Sequence, residues 1–136
     1  MCIRDRVFAV ADGGLSTPAV YGEFDRLTAG TDVPEPEAAP ELLAALESGD
    51  ATVLAAALTN DLQPAALSLR PSLTATLEAG TAAGALAALV SGSGPTTAFL
   101  VKDAEAAEAV ASALLASGTC RQVRVAEAPA VGARVL

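Results

Sequence analysis

Leu86-Ala87-Ala88-Leu89-Val90-Ser91-Gly92-Ser93-Gly94-Pro95-Thr96-Thr97-Ala98-Phe99-Leu100-Val101 is the stretch whose reading decides the fold. Two apolar runs flank a cluster of serine, glycine and proline. Each run is too short for a helix and is bounded by turn residues, so Leu86 to Val90 and Thr96 to Val101 read as strands joined by a tight turn. Gly92 and Gly94 can take the positive φ that such a turn asks for. Downstream, Asp103 is placed to cap a helix whose buried stripe is Ala107, Val110, Ala111, Leu114 and Leu115. Gly118 ends that helix. Gln122 to Ala126 then reads as a strand, and Ala133 to Leu136 as an extended edge.

Upstream, Val7 to Ala11 reads as a buried strand stopped by Asp12-Gly13-Gly14. Thr17 can cap the helix that follows, with Pro18 at its first position and Val20, Tyr21, Phe24 and Leu27 at helical spacing. A loop rich in proline and acid runs from Gly30 to Pro40. Short helices follow: Glu41 to Glu47, closed by Gly49, and one capped by Asp50 with Val53, Leu54, Ala57 and Leu58 on one face. Asn60 and Gln63, three residues apart, form a capping-box pattern for a helix to Leu69. Pro71 and Ser72 open another, to Ala79, with Gly80 as its stop. The order is strand, helices, strand, strand, helix, strand. That predicts an α+β domain with the split βαβ sheet of ferredoxin-like folds and extra helices in the first crossover. Residues 7–136 form this single domain. Residues 1–6, charged and without periodicity, read as a non-native leader.

Composition narrows the function. The apolar fraction is 52%, much of it alanine, and aromatics are 3%, so the core rests on close packing of Ala, Leu and Val. The apolar run Ala85 to Val90 falls far short of the roughly 18 residues of a membrane span, and no signal-peptide pattern opens the chain. A cytoplasmic location is the expectation. The formal net charge is −8, and Lys102 is the only lysine. Nucleic-acid binding needs a basic face to displace counterions, and this chain has none. Any polyanionic ligand must have its charge met by another part of the protein. With no histidine, and with Cys2 and Cys120 at opposite ends, neither a zinc-type ligand set nor a Ser/His/Asp or Cys/His arrangement can be assembled.

The turn Ser91, Gly92, Ser93, Gly94 is the one sharp candidate site. A dinucleotide fingerprint needs a third glycine and a following helix, yet Thr97 stands at the third position and a strand follows. A phosphate-binding P-loop needs a lysine that is missing here. An ordinary strand-to-strand turn remains open on spacing alone. Asn60-Asp61 could be a polar pair at a site, although helix capping accounts for it more simply. Asp12 is as easily a solvated turn residue.

Ser91-Gly92-Ser93-Gly94-Pro95-Thr96-Thr97-Ala98-Phe99 resembles the third motif of the GHMP small-molecule kinases. The strand Val7 to Ala11 with Leu15-Ser16-Thr17-Pro18-Ala19-Val20-Tyr21, and Asn60-Asp61-Leu62 with Arg70-Pro71 after it, are similar to elements of the same family in the same order. The resemblance spans Val7 to Leu136. It implies transfer of the γ-phosphate of ATP, with Mg2+, to a hydroxyl of a cytidine-diphosphate-linked methylerythritol on the non-mevalonate route to isoprenoid precursors. It also implies that the catalytic aspartate and lysine and the main ATP loop belong to an amino-terminal half with no counterpart here. This fragment would then be inactive alone, would hold no catalytic residue or metal ligand and would bind no cofactor tightly. Gly92 and Gly94 would let the turn approach the ATP loop of the other half, with Ser91 and Ser93 as hydrogen-bond donors. Pro95 stiffens the turn relative to members with a longer glycine run. A non-catalytic ferredoxin-like ligand-binding or regulatory domain is the alternative; it accounts for fold and acidity but not for the inserted helices. An RNA-binding sheet of the same topology lacks its stacking aromatics and basic residues.

Overall fold

The computed structural model describes residues 5–129 and 132–133. Four strands, β1 (Arg6–Val10), β2 (Ala87–Val90), β3 (Thr97–Leu100) and β4 (Gln122–Ala126), form one sheet in the order β2-β3-β1-β4. Every pairing is antiparallel, with Val7 opposite Phe99 and Val125, and Ala88 opposite Phe99 on the far side. This is the ferredoxin-like order expected from the sequence. Its first crossover carries five helices: α1 (Thr17–Leu27), α2 (Pro40–Ser48), α3 (Ala51–Ala57), α4 (Gln63–Leu69) and α5 (Leu73–Ala82). The second crossover carries α6 (Ala104–Ser117).

Strand alternation sends Val7, Ala9, Phe99 and Val101 to one face, where they pack with Ala107, Val110 and Leu114 of α6. A second cluster, Ala11, Val20, Ala65, Ala66, Leu73 and Val90, joins α1, α4 and α5 to the end of the sheet that carries the β2–β3 turn. Among the described residues, the other sheet face meets the α2–α3 hairpin through Leu100, Ala45 and Leu54. That leaves an apolar cleft of about 400 Å3 lined by Phe8, Leu46, Leu58, Leu89 and Ala98 among others. Leu43, Leu46 and Val53 of the hairpin are about half exposed.

Several local expectations change. Ser16, not Thr17, caps α1, accepting from Ala19 N at 3.4 Å. Of that helix's apolar residues Val20 is buried, while Tyr21 and Leu27 lie outside. Helix α5 continues past Gly80 to Ala82. A Cβ at Gly80 would stand 2.2 Å from Phe99 Cε1, so this glycine makes room for a ring rather than ending a helix. On α6 the buried stripe is Ala107, Val110 and Leu114, and Leu115 is 55% exposed. In an alanine-rich helix neighbouring stripes have nearly equal hydrophobicity, and only the facing sheet selects between them. Asp50 and Asp103 cap as expected, and Gly49 and Gly118 close their helices with left-handed φ of 70° and 68°. Arg6 already belongs to β1. Met1 to Arg4, most of the proposed leader, lie outside the described residues, as does most of the Ala133 to Leu136 segment.

Candidate functional site

The β2–β3 turn is closed by two backbone hydrogen bonds, Ser91 N to Thr96 O at 2.8 Å and Gly94 N to Ser91 O at 3.0 Å. Gly92 and Gly94 take φ of +57° and +78°, values that side-chain-bearing residues adopt only at a cost. The two glycines face opposite ways. A Cβ on Gly94 would meet Val90 Cγ1 at 3.0 Å, Leu15 Cδ2 at 3.5 Å and Leu73 Cδ1 at 3.9 Å. A Cβ on Gly92 would meet nothing within 4 Å. Gly94 therefore lets the turn close on this chain's own core, and the open side belongs to Ser91 and Gly92, both exposed. The Ser93 hydroxyl lies 2.9 Å from the Thr17 hydroxyl at the start of α1, which ties the turn to the loop after β1.

Asn60 also reaches the turn. Its side-chain Nδ2 donates to Val90 O at 2.7 Å and to Gly92 O at 2.9 Å, while Oδ1 accepts from Leu62 N at 3.1 Å. Gln63 Oε1 accepts from Val90 N at 2.8 Å. The capping-box expectation for Asn60 and Gln63 thus fails. Leu62 is the residue before α4, without a side-chain cap, and Pro64 in its first turn has no N–H to cap. Asn60 makes an Asx turn locally and spends its amide on β2. Val90 is buried at the sheet edge, so its outward N–H and C=O need partners, and the two amide side chains supply them. Sequence reasoning missed this because the contacts span some thirty residues. The available signal was an amide pair placed just before a helix whose proline makes a cap superfluous.

On the same rim, the Arg70 guanidinium donates to Asp12 O and, at 3.5 Å, to Gly14 O, fixing the loop after β1 through backbone carbonyls. Asp12 itself is exposed. Burial, and then the negative charge of Asp12, push the Cys120 thiol up. It donates toward Leu114 O at 3.6 Å, and the upward shift disfavours the thiolate that a nucleophile needs. An open groove of about 930 Å3 beside Asn60 and Asp61 also carries Asp32, Glu35 and Glu37, and four carboxylates make it unfavourable for a polyanion. Among the described residues no three of His, Cys, Asp and Glu come together as a metal site. Among them, too, no helix is long and apolar enough to cross a membrane.

Comparison with known proteins agrees with this fold. The family model described as GHMP kinases C terminal matches residues 42–120. The chain is 77% identical over 130 residues to 4-diphosphocytidyl-2-C-methyl-D-erythritol kinase of Streptomyces avermitilis, covering 96% of this chain and 44% of that protein. It is 60% identical to the kinase of the same name from Thermobifida fusca, again over 96% of this chain and 42% of the relative. The chain therefore spans less than half the length of these relatives. Among solved structures, a 4-(cytidine 5'-diphospho)-2C-methyl-D-erythritol kinase superposes with TM-score 0.69 at 25% identity, over 91% of this chain and 42% of that one. A homoserine kinase from Cytophaga hutchinsonii shares the fold, with TM-score 0.71 at 20% identity over 92% of this chain and 42% of that one.

Proposed function

The chain belongs to the GHMP kinase C-terminal family, and from that premise we propose that it is the carboxy-terminal part of a cytoplasmic ATP-dependent kinase. Its acceptor is 4-diphosphocytidyl-2-C-methyl-D-erythritol, phosphorylated on a hydroxyl in the non-mevalonate route to isoprenoid precursors. The observation that carries this reading is the 77% identity to a kinase of that name across 96% of the chain. No observation favours the regulatory-domain alternative over it.

Phosphoryl transfer asks a protein mainly for positioning and for stabilisation of charge on the transferring group. When bound, Mg2+ would neutralise charge on the nucleotide phosphates. This chain's described residues do not fit that ion, since no three of their His, Cys, Asp and Glu side chains are grouped so that they could hold a metal. Lys102 is the chain's only lysine, so cationic help must come largely from elsewhere. What the chain offers is one wall of a cleft: the Ser91–Gly94 turn, with the Ser91 hydroxyl and the bare Gly92 on its open side and Thr17 and Ser93 holding the flank. A turn that is bare at a glycine can be approached closely there by another backbone or by phosphate oxygens. The catalytic groups and the ATP loop are assigned to the other half of the protein.

The test is ADP release with the cytidyl acceptor, magnesium and ATP. The 136-residue chain alone should give no turnover. Supplying the amino-terminal half as a separate chain should restore it. Turnover by the chain alone at rates typical of kinases, about 1–100 per second, would defeat the assignment.

A further inference from the structure

A turn with two glycines does not hold one conformation by itself, because glycine backbones occupy more of φ/ψ space than any other residue. Two backbone hydrogen bonds and the Ser93–Thr17 contact restrict its ends, and one side chain acts on the Gly92 peptide itself. The two hydrogens of a single planar amide on Asn60 reach carbonyls two residues apart, Val90 O and Gly92 O, at 2.7 and 2.9 Å. Its oxygen is anchored on Leu62 N, so the amide cannot swing away. Gln63 holds the N–H of Val90 in the same way. In a trans peptide the C=O and N–H point in opposite directions. Drawing Gly92 C=O toward Asn60 therefore aims the N–H of Ser93 away from it.

Resting on the kinase reading above, we infer that Asn60 is a positioning residue for phosphoryl transfer. Its amide fixes the turn in the one orientation that presents the Ser93 N–H and the bare Gly92 to the nucleotide phosphates. Asn60 touches neither substrate nor reacting atoms. It acts through the backbone of the turn, and misplacing positioning groups by about 1 Å can cost on the order of a hundredfold in rate.

The experiment uses the complete kinase that carries this chain. Asn60→Asp keeps the size and the acceptor for Leu62 N but sets a carboxylate against two carbonyl oxygens. At neutral pH kcat should fall about ten- to a hundredfold, with KM for the acceptor little changed. The lost rate should partly return as pH is lowered, since two facing carbonyls raise the carboxyl pKa and the protonated acid can donate to one of them. Asn60→Ser, neutral and shorter, should lose kcat by the same amount at every pH, because nothing in it titrates. Leu114→Ala, destabilising but remote from the turn, is the control and should keep wild-type kcat in the folded enzyme. Wild-type kcat in either Asn60 variant, or an equal loss in Leu114→Ala, overturns the inference. Gly92→Trp, bulky on the open side, separates the two levels. If it abolishes turnover while Asn60→Asp does not, the inference fails and the kinase reading stands. If Gly92→Trp is fully active, the turn is remote from the reaction and the assignment of this site falls with the inference.

Discussion

Gly80→Ala sets two physical effects against each other, and the structure decides the sign. Gly80 lies inside α5, where replacing glycine by alanine normally stabilises a helix by about 1 kcal/mol. Here an added Cβ would stand 2.2, 2.4 and 2.9 Å from Cε1, Cδ1 and Cζ of the Phe99 ring. Phe99 is fully buried in the core between the sheet and helices α5 and α6, so the ring can move only against other packed side chains. Relieving the overlap means shifting a helix against a sheet or forcing a poor rotamer. Overpacking of that kind costs typically 1–3 kcal/mol, and contacts this short place it at the upper end. After the helix gain is deducted, Gly80→Ala should destabilise the chain by about 1–2 kcal/mol. Urea unfolding followed by circular dichroism reads this as a lowered midpoint at unchanged slope. Phe99→Leu should be destabilising alone, yet combined with Gly80→Ala it should cost less than the sum, because the smaller side chain admits the new methyl. A stabilised Gly80→Ala, or strict additivity in the double variant, would refute the claim that this glycine exists to admit the ring.

The two turn glycines should separate in the same assay. Gly92→Ala meets only the left-handed backbone cost of about 1 kcal/mol, whereas Gly94→Ala adds an encounter with Val90 at 3.0 Å; equal losses would contradict the opposite facing of the two residues. Glu23 should titrate abnormally. The Arg26 guanidinium, bonded to both its oxygens at 2.7 Å, and then the Ser68 hydroxyl hold its carboxyl down at about 2 against an ordinary 4.5. Because the folded pKa is the lower one, whatever stability this cluster contributes is complete above about pH 4.5 and is lost as pH falls toward about 2. Carboxyl-carbon NMR should place the Glu23 midpoint near 2, and Arg26→Ala should move it up toward 4.5, whereas an unchanged midpoint would show that the pair does not form in solution.

The sheet was legible in the sequence because its signals are local. Alternation, bounding glycines and the caps Asp50 and Asp103 each act within a few residues. What could not be read depends on facing partners. Gly80 has the same composition signature whether it ends a helix or admits a ring, and the ring belongs to a strand nineteen positions away. Asn60 looked like a cap because a cap is what an Asn–Gln pair usually does beside a helix, and its true partners are thirty and thirty-two residues on. The same limit bears on the candidate site as chemistry. A chain with net charge −8, one lysine and seven arginines has few cations to offer a phosphate. It can offer backbone amides and hydroxyls on a turn that two glycines allow and that an asparagine helps to hold. A backbone amide is common to every residue type but proline, so it leaves no mark in a sequence except the glycines that shape the turn and the polar side chain that holds it. The glycines could be recognised from their spacing. The asparagine became recognisable only when the fold brought the start of α4 against the edge of β2.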